Sequence, residues 1–135
     1  MSRRVEKYFP DILKMTKEEF REDINKNGIP SEYKGYISTF GAMVIQNGLI
    51  PALAYFEKTD ANEKGNRKKI ANIVKEFLKV KGDIRIDDKK KLCQYLADEV
   101  QTKRMSKDKL REIENKVIDI SIALKLALRT FLEEK

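Results

Sequence analysis

The chain is 135 residues long, 41% apolar and 38% charged, which suits one soluble, highly charged domain with a real core and is too short for two independent cores. Its 29 Lys and Arg outnumber 22 Asp and Glu for a net charge of +7, and it holds one cysteine and no histidine. These counts exclude an internal disulfide, Ser-His and Cys-His nucleophilic pairs, histidine metal sites and the usual general base near neutral pH.

Residues 2 to about 24 read as a helix with a broken apolar stripe of Val5, Tyr8, Phe9, Ile12, Leu13, Phe20 and Ile24. Pro10 interrupts it, so a bend or restart is predicted near Asp11. The stretch from Met1 to Lys7 lacks the apolar run of a secretory signal, and no later run has the length of a membrane span. A cytoplasmic protein with no membrane partner is expected. Asn25 to Pro30 punctuates the chain as a loop, after which Ser31 and Glu32 stand at the positive end of the next helix.

Tyr36 to Phe56 holds the densest apolar run and an Asn-Gly step at its centre. Asn47-Gly48 between Met43-Val44-Ile45 and Leu49-Ile50 also fits a two-residue hairpin turn. Spacing decides against it: Tyr33, Tyr36, Ile37, Phe40, Met43 and Val44 recur at three and four residues, and Pro51 suits the first turn of a helix better than a strand. The prediction is a helix, a stop at Gly48 in a left-handed position, and a second helix whose apolar face begins with Leu49, Pro51, Leu53 and Phe56.

Lys58 to Asn66 is polar and reads as an exposed loop. The next helix, about Arg67 to Val80, buries Ile70, Ile73, Val74, Phe77 and Leu78 and turns Lys68, Asn72, Lys75 and Lys79 the opposite way. Lys81 to Asp87 alternates briefly like a strand but has no partner run, and is read as a loop with Asp87 or Asp88 capping a helix from about Asp88 to Val100. That helix buries Leu92, Cys93, Leu96 and Val100, so Cys93 is read as a small core residue and not a nucleophile. Lys89, Lys90 and Lys91 fall in its first turn, where they oppose the macrodipole unless something anionic sits there. Ser106 caps the last helix, about Lys107 to Glu133. Leu110, Ile113, Val117, Ile120, Leu124, Ala127 and Phe131 form its main stripe, and Ile118, Ile122, Leu126 and Leu132 a second one. Apolar over most of its circumference, this helix is either the central post of a bundle or is covered by a neighbouring subunit.

Tyr36, Ile45, the run Gln46-Asn47-Gly48-Leu49 and then Ala52-Leu53-Ala54-Tyr55-Phe56 resemble the signature of the Cmr small subunit family of the type III-B CRISPR RNA-targeting effector complex. The likeness extends more weakly to the last helix, where Thr130-Phe131-Leu132 stands in the place of the tryptophan common in the family. It implies a non-catalytic helical subunit that stacks along the backbone of the ribonucleoprotein in antiviral defence. Its implied partners are other Cmr subunits, neighbouring copies of itself, and the guide and target RNA.

The residues themselves offer little catalytic chemistry. The adjacent acids Glu18-Glu19, Asp87-Asp88, Asp98-Glu99 and Glu133-Glu134 are interleaved with lysine and read as solvated faces, and there is no phosphate-loop or zinc-ligand spacing. No cofactor, metal or enzymatic activity is expected. Between Lys64 and Lys91, eleven basic residues against four acidic ones carry an excess equal to that of the whole chain. Arg67, Lys68, Lys69, Lys75 and Lys79 on one helix and Lys89, Lys90 and Lys91 on the next are the candidate nucleic-acid contacts, to the backbone and not the bases. A purely solubilising lysine face has the same composition. Tyr33, Tyr36, Phe40, Tyr55 and Phe56 are read as core and not as stacking platforms. The fold expected is an all-α bundle of five to six helices. The alternative function is a standalone helical interaction adaptor whose last helix recruits one partner. A small DNA-binding protein is less well supported, since no recognition helix with base-reading side chains on one face is evident.

Overall fold

Helical periodicity is obeyed along almost the whole chain, and the computed structural model describes residues 3–58 and 66–132. Among them are seven helices: α1 (Arg3–Glu19), α2 (Arg21–Lys26), α3 (Glu32–Asn47), α4 (Leu49–Glu57), α5 (Lys68–Val80), α6 (Leu92–Gln101) and α7 (Lys107–Thr130). The fold is all-α, with one helix more than the five to six expected. Most of the loop read at 58–66 and the last residues assigned to the final helix lie outside the described residues.

The extra helix comes from a break in a different place from the one predicted. α1 runs through Pro10 without stopping, because the proline is on the exposed side and the ring costs one hydrogen bond where water reaches the backbone. The opposite side buries Val5, Ile12 and Thr16, and the Thr16 hydroxyl donates to the Ile12 carbonyl at 2.7 Å. The chain leaves helical geometry at Phe20 instead (φ −107°, ψ 22°), whose ring is fully buried edge-on to Tyr33 at 4.7 Å between centroids.

α7 is the central post. It packs along α1 and α3, and a closed circuit of helix contacts runs α7, α1, α5, α4, α3 and back to α7, with α6 laid against α4 and α7. Ile113, Val117, Ile120, Ala123, Leu124, Ala127 and Leu128 of α7 are buried, so most of its first stripe is the inner one. Its second stripe is only partly covered: Ile118 and Leu126 are half-buried and Ile122 stays 45% exposed. As predicted, the Ser106 hydroxyl caps α7 by accepting from the Lys109 N–H at 3.0 Å. Beyond α7 the chain returns to the α2–α3 turn, where the Ile29 N–H donates to the Phe131 carbonyl at 2.7 Å.

The joint between α3 and α4 is built around Gly48, with φ 94° and ψ 163°. The positive φ was expected, but the ψ places it in an extended region that glycine alone occupies comfortably and not in the left-handed helical one. The α4 N-terminus is met by α7: the Glu114 carboxylate accepts from the Leu49 N–H at 2.8 Å. A Cβ on Gly48 would stand 3.3 Å from that same carboxylate. Gly48→Ala is therefore expected to cost about 1–3 kcal/mol, read as a lower urea midpoint at unchanged slope. An unaltered midpoint would mean that the joint is not held as described.

Lys81 to Lys91 contains no helix, and Ile84 and Ile86 are buried while Arg85 and Asp87 are exposed. The strand-like alternation is real in its side chains, yet it pairs with no strand, and the segment lies on the core as an extended strap. No helix among the described residues is long and apolar enough to cross a membrane.

Candidate nucleic-acid interface

α5 supplies the first half of the site because its periodicity leaves it no other orientation. Burial of Ile70, Ala71, Ile73, Val74, Phe77 and Leu78 against the core leaves Lys68, Asn72, Lys75 and Lys79 on its outer side. The second half is the turn from Asp87 to Lys91. Asp87 organises it, its side chain accepting from the Lys89 N–H and its carbonyl from the Lys90 N–H, both at 3.0 Å. Lys75 then ties the turn to α5, donating from Nζ to the carbonyls of Asp88 (2.8 Å) and Lys90 (2.7 Å).

This geometry corrects the placement of the three consecutive lysines. They are not in the first turn of a helix; α6 begins only at Leu92, and Lys89 to Lys91 form the turn before it. The acid at their side is internal. Glu57, the last residue of α4 and only 6% exposed, accepts from the Cys93 N–H at 2.9 Å and so caps α6. The Cys93 thiol is half-buried, and burial followed by the Glu57 charge pushes it above its ordinary pKa, which makes it a poor nucleophile.

Five of the eight candidate cations converge. Lys68, Lys75, Lys89, Lys90 and Lys91 line one groove of about 260 Å³ together with Glu57 and Asp88. Lys90 is paired with Asp98 at 2.9 Å, whereas Lys68, Lys89 and Lys91 have no carboxylate partner among the described residues.

The other three point elsewhere. Arg67 is buried at 6% exposure with its guanidinium 4.1 Å from the Tyr55 ring centroid, so the cation expected in the stripe is a packing residue. Tyr55, expected in the core, is 46% exposed and is covered in part by that guanidinium. Lys69 turns toward α1 and α2, where Nζ donates to the Glu19 carbonyl at 3.3 Å, lies 3.5 Å from the Asp23 carboxylate and stands 5.0 Å from the Phe20 ring centroid. Lys79 is hydrogen-bonded to Asp88. That bond raises the lysine pKa and is the main cause of the lowered Asp88 pKa, so this charge is answered locally.

Next to the basic groove, and sharing Asn72, Lys75 and Asp88 with it, is an acidic hollow of about 470 Å³ holding Glu18, Glu19 and Glu76. Burial is the main reason the Glu19 carboxyl sits above its ordinary pKa, with Glu76 adding to it and Lys69 opposing. Among the described residues no group of three acids or cysteines is arranged to hold a metal ion. Sequence reasoning overlooked Glu57, although a signal was present: it is the only acid between Glu32 and Asp60, at the end of an apolar helix.

The family model described as CRISPR-associated protein (Cas_Cmr5) matches residues 3–120 of this chain. No curated protein and no solved structure matches it.

Proposed function

The chain belongs to the Cas_Cmr5 family, the small-subunit family of the type III-B Cmr complex, and from that membership we propose that it is a non-catalytic subunit of a CRISPR ribonucleoprotein. It stacks along the backbone of the complex beside other Cmr subunits and copies of itself, and its lysine groove holds guide or target RNA by the phosphate backbone. Cleavage is left to other subunits in an antiviral, cytoplasmic assembly.

The observation that carries this reading is the convergence of Lys68, Lys89 and Lys91 on one groove from two separate parts of the chain, with no carboxylate paired to any of the three among the described residues. Lysine is a compact point charge without arginine's planar fork, so such a groove neutralises phosphates and does not read bases. A lysine face kept only for solubility has no reason to gather in a concavity that Lys75 holds in shape.

A second reading has its own support. Ile45 is 68% exposed on α3 and Ile122 is 45% exposed on α7, the two helices that meet in the α3–α7 seam. An adaptor that binds protein through this apolar seam and leaves its lysines to solvent is the alternative. Amine acetylation with and without single-stranded RNA, read by mass spectrometry, separates the two. RNA is expected to protect Lys68, Lys89 and Lys91 and to leave Lys26, Lys34 and Lys125 reactive. Equal protection of all six, or none, would overturn the groove assignment.

A further inference from the structure

A second cationic groove lies at the other end of α6. It has a volume of about 600 Å³, and its cationic lining comes from three parts of the chain: Arg85 on the strap, Lys103 and Arg104 in the α6–α7 turn, and Lys109 on α7. Its two acids are already engaged. Glu99 is paired with Arg104 (Nε to Oε2, 2.5 Å), and Asp83 is paired with Lys116 at 2.8 Å. Lys109 is 3.6 Å from Glu112, while Arg85 and Lys103 have no carboxylate partner among the described residues. This groove therefore keeps a positive surplus after its internal pairs are subtracted, as the first groove does.

Lys103 gives the clearest sign that the charge is wanted there. It follows the C-terminal cap of α6 at the position where helices favour glycine, and it is the only described residue other than glycine with positive φ, at 62°. A side chain is held in the left-handed region at a conformational cost that glycine would avoid. A cation at a helix C-terminus also gains from the macrodipole, but for an exposed side chain that gain is smaller than the penalty. A costly backbone that persists at a charged hollow points to use.

The groove's polarity selects the kind of ligand. Its few apolar lining residues include Met105, which is buried, and Tyr95, which is half-buried and whose hydroxyl accepts from the Arg85 N–H at 3.2 Å. Protein interfaces need an apolar centre depleted of charge, whereas nucleic-acid interfaces are polar and positive, and an aromatic ring among cations suits an unpaired base. The two grooves stand at opposite ends of α6, about 15 Å apart along its axis. We infer that the Arg85–Lys103 groove is a second contact for the same single-stranded nucleic acid, so that the strand crosses α6 from one groove to the other. This rests on the RNA-positioning reading above and extends it from a point contact to a path.

The test is binding of the full chain to a single-stranded homopolymer RNA across a salt series, with Arg85→Ala and Lys103→Gly, singly and together, set beside Lys68→Ala/Lys89→Ala/Lys91→Ala. Each second-groove change is expected to weaken binding severalfold at low salt, and the pair to take about 1.4 from the magnitude of the log–log salt slope at about 0.7 per lost contact. Lys103→Gly is expected to melt no lower than the parent chain, which separates lost contact from lost fold. Should the second-groove variants bind like the parent while the first-groove triple variant weakens, the path is wrong and the proposed function stands. Should only the second-groove variants weaken, the first groove is misassigned. If neither set matters, both readings fall. If polyglutamate peptide binds instead of RNA and depends on Arg85 and Lys103, the ligand class is wrong and the inference is overturned.

Discussion

Replacing Phe40 with alanine is expected to lower folding stability by about 3–5 kcal/mol, the largest single-residue effect argued for this protein. The ring is fully buried and meets Phe56 edge-on, with centroids 5.0 Å apart. A cavity opened here cannot close easily, because the neighbouring helices are already at close approach. One residue on, a Cβ at Gly41 would come within 3.3 Å of the Ser121 hydroxyl of α7, so α3 and α7 have little freedom to slide. Against a typical total of about 5–15 kcal/mol, the loss leaves only a marginal fold. Phe40→Leu keeps most of the volume and should cost less than half as much. Urea midpoints for the two variants give the measurement, and a shift for alanine no larger than that for leucine would show that the α3–α4 joint is not packed around this pair. The change also reaches the site, since Phe56 precedes Glu57 and a loosened α4 would withdraw the carboxylate from the Cys93 N–H.

The parts of this fold legible in the sequence are those where a single local period governs. The α5 stripe is the clearest case, since three- and four-residue spacing both names the buried residues and obliges Lys68 and Lys75 to face outward. Pro10 was misleading because the cost of a proline depends on which side of the helix it occupies, and that side is decided by α7, more than 90 residues away in the chain. Phe20 gave no local signal at all: its break is imposed by burial against Tyr33. Arg67 and Lys69 share the charge and the sequence neighbourhood of the groove lysines, but charge alone says nothing about aromatic partners, and the rings that draw them aside come from α4 and from the α1–α2 junction. The sequence pattern starts α6 about one turn too early, which puts Lys89 to Lys91 inside a helix and not before it. The side chain of Asp87 competes with helix formation by capping its own turn, and the true helix start is set by Glu57 from elsewhere. Lys103 escaped notice because it lies outside the basic block and its neighbours in space, Arg85 and Lys109, are scattered along the sequence.

The second large effect concerns the salt dependence of RNA binding when Lys68, Lys89 and Lys91 are changed together to alanine. Lys75 is deliberately kept, because its ammonium holds the carbonyls of Asp88 and Lys90 and its loss would unpin the turn; Lys90 is already answered by Asp98. Each phosphate neutralised on a single strand contributes about 0.7 to the slope of log affinity against log salt, so three contacts contribute about 2. Through these lysines alone a fourfold rise in salt would weaken binding roughly twentyfold. The triple variant is expected to lose that portion of the slope and to bind at least tenfold more weakly at low salt, while Lys26→Ala/Lys34→Ala/Lys125→Ala, on exposed positions elsewhere, retains most of the affinity. Three contacts make a weak binder of a lone subunit. Copies stacked side by side would present the groove repeatedly to one strand, and each added engagement becomes intramolecular, so the assembled form should amplify the same difference without any new contact. Equal slopes for the parent and the triple variant, in the free chain and in the assembly alike, would leave the lysine groove without a role in holding RNA.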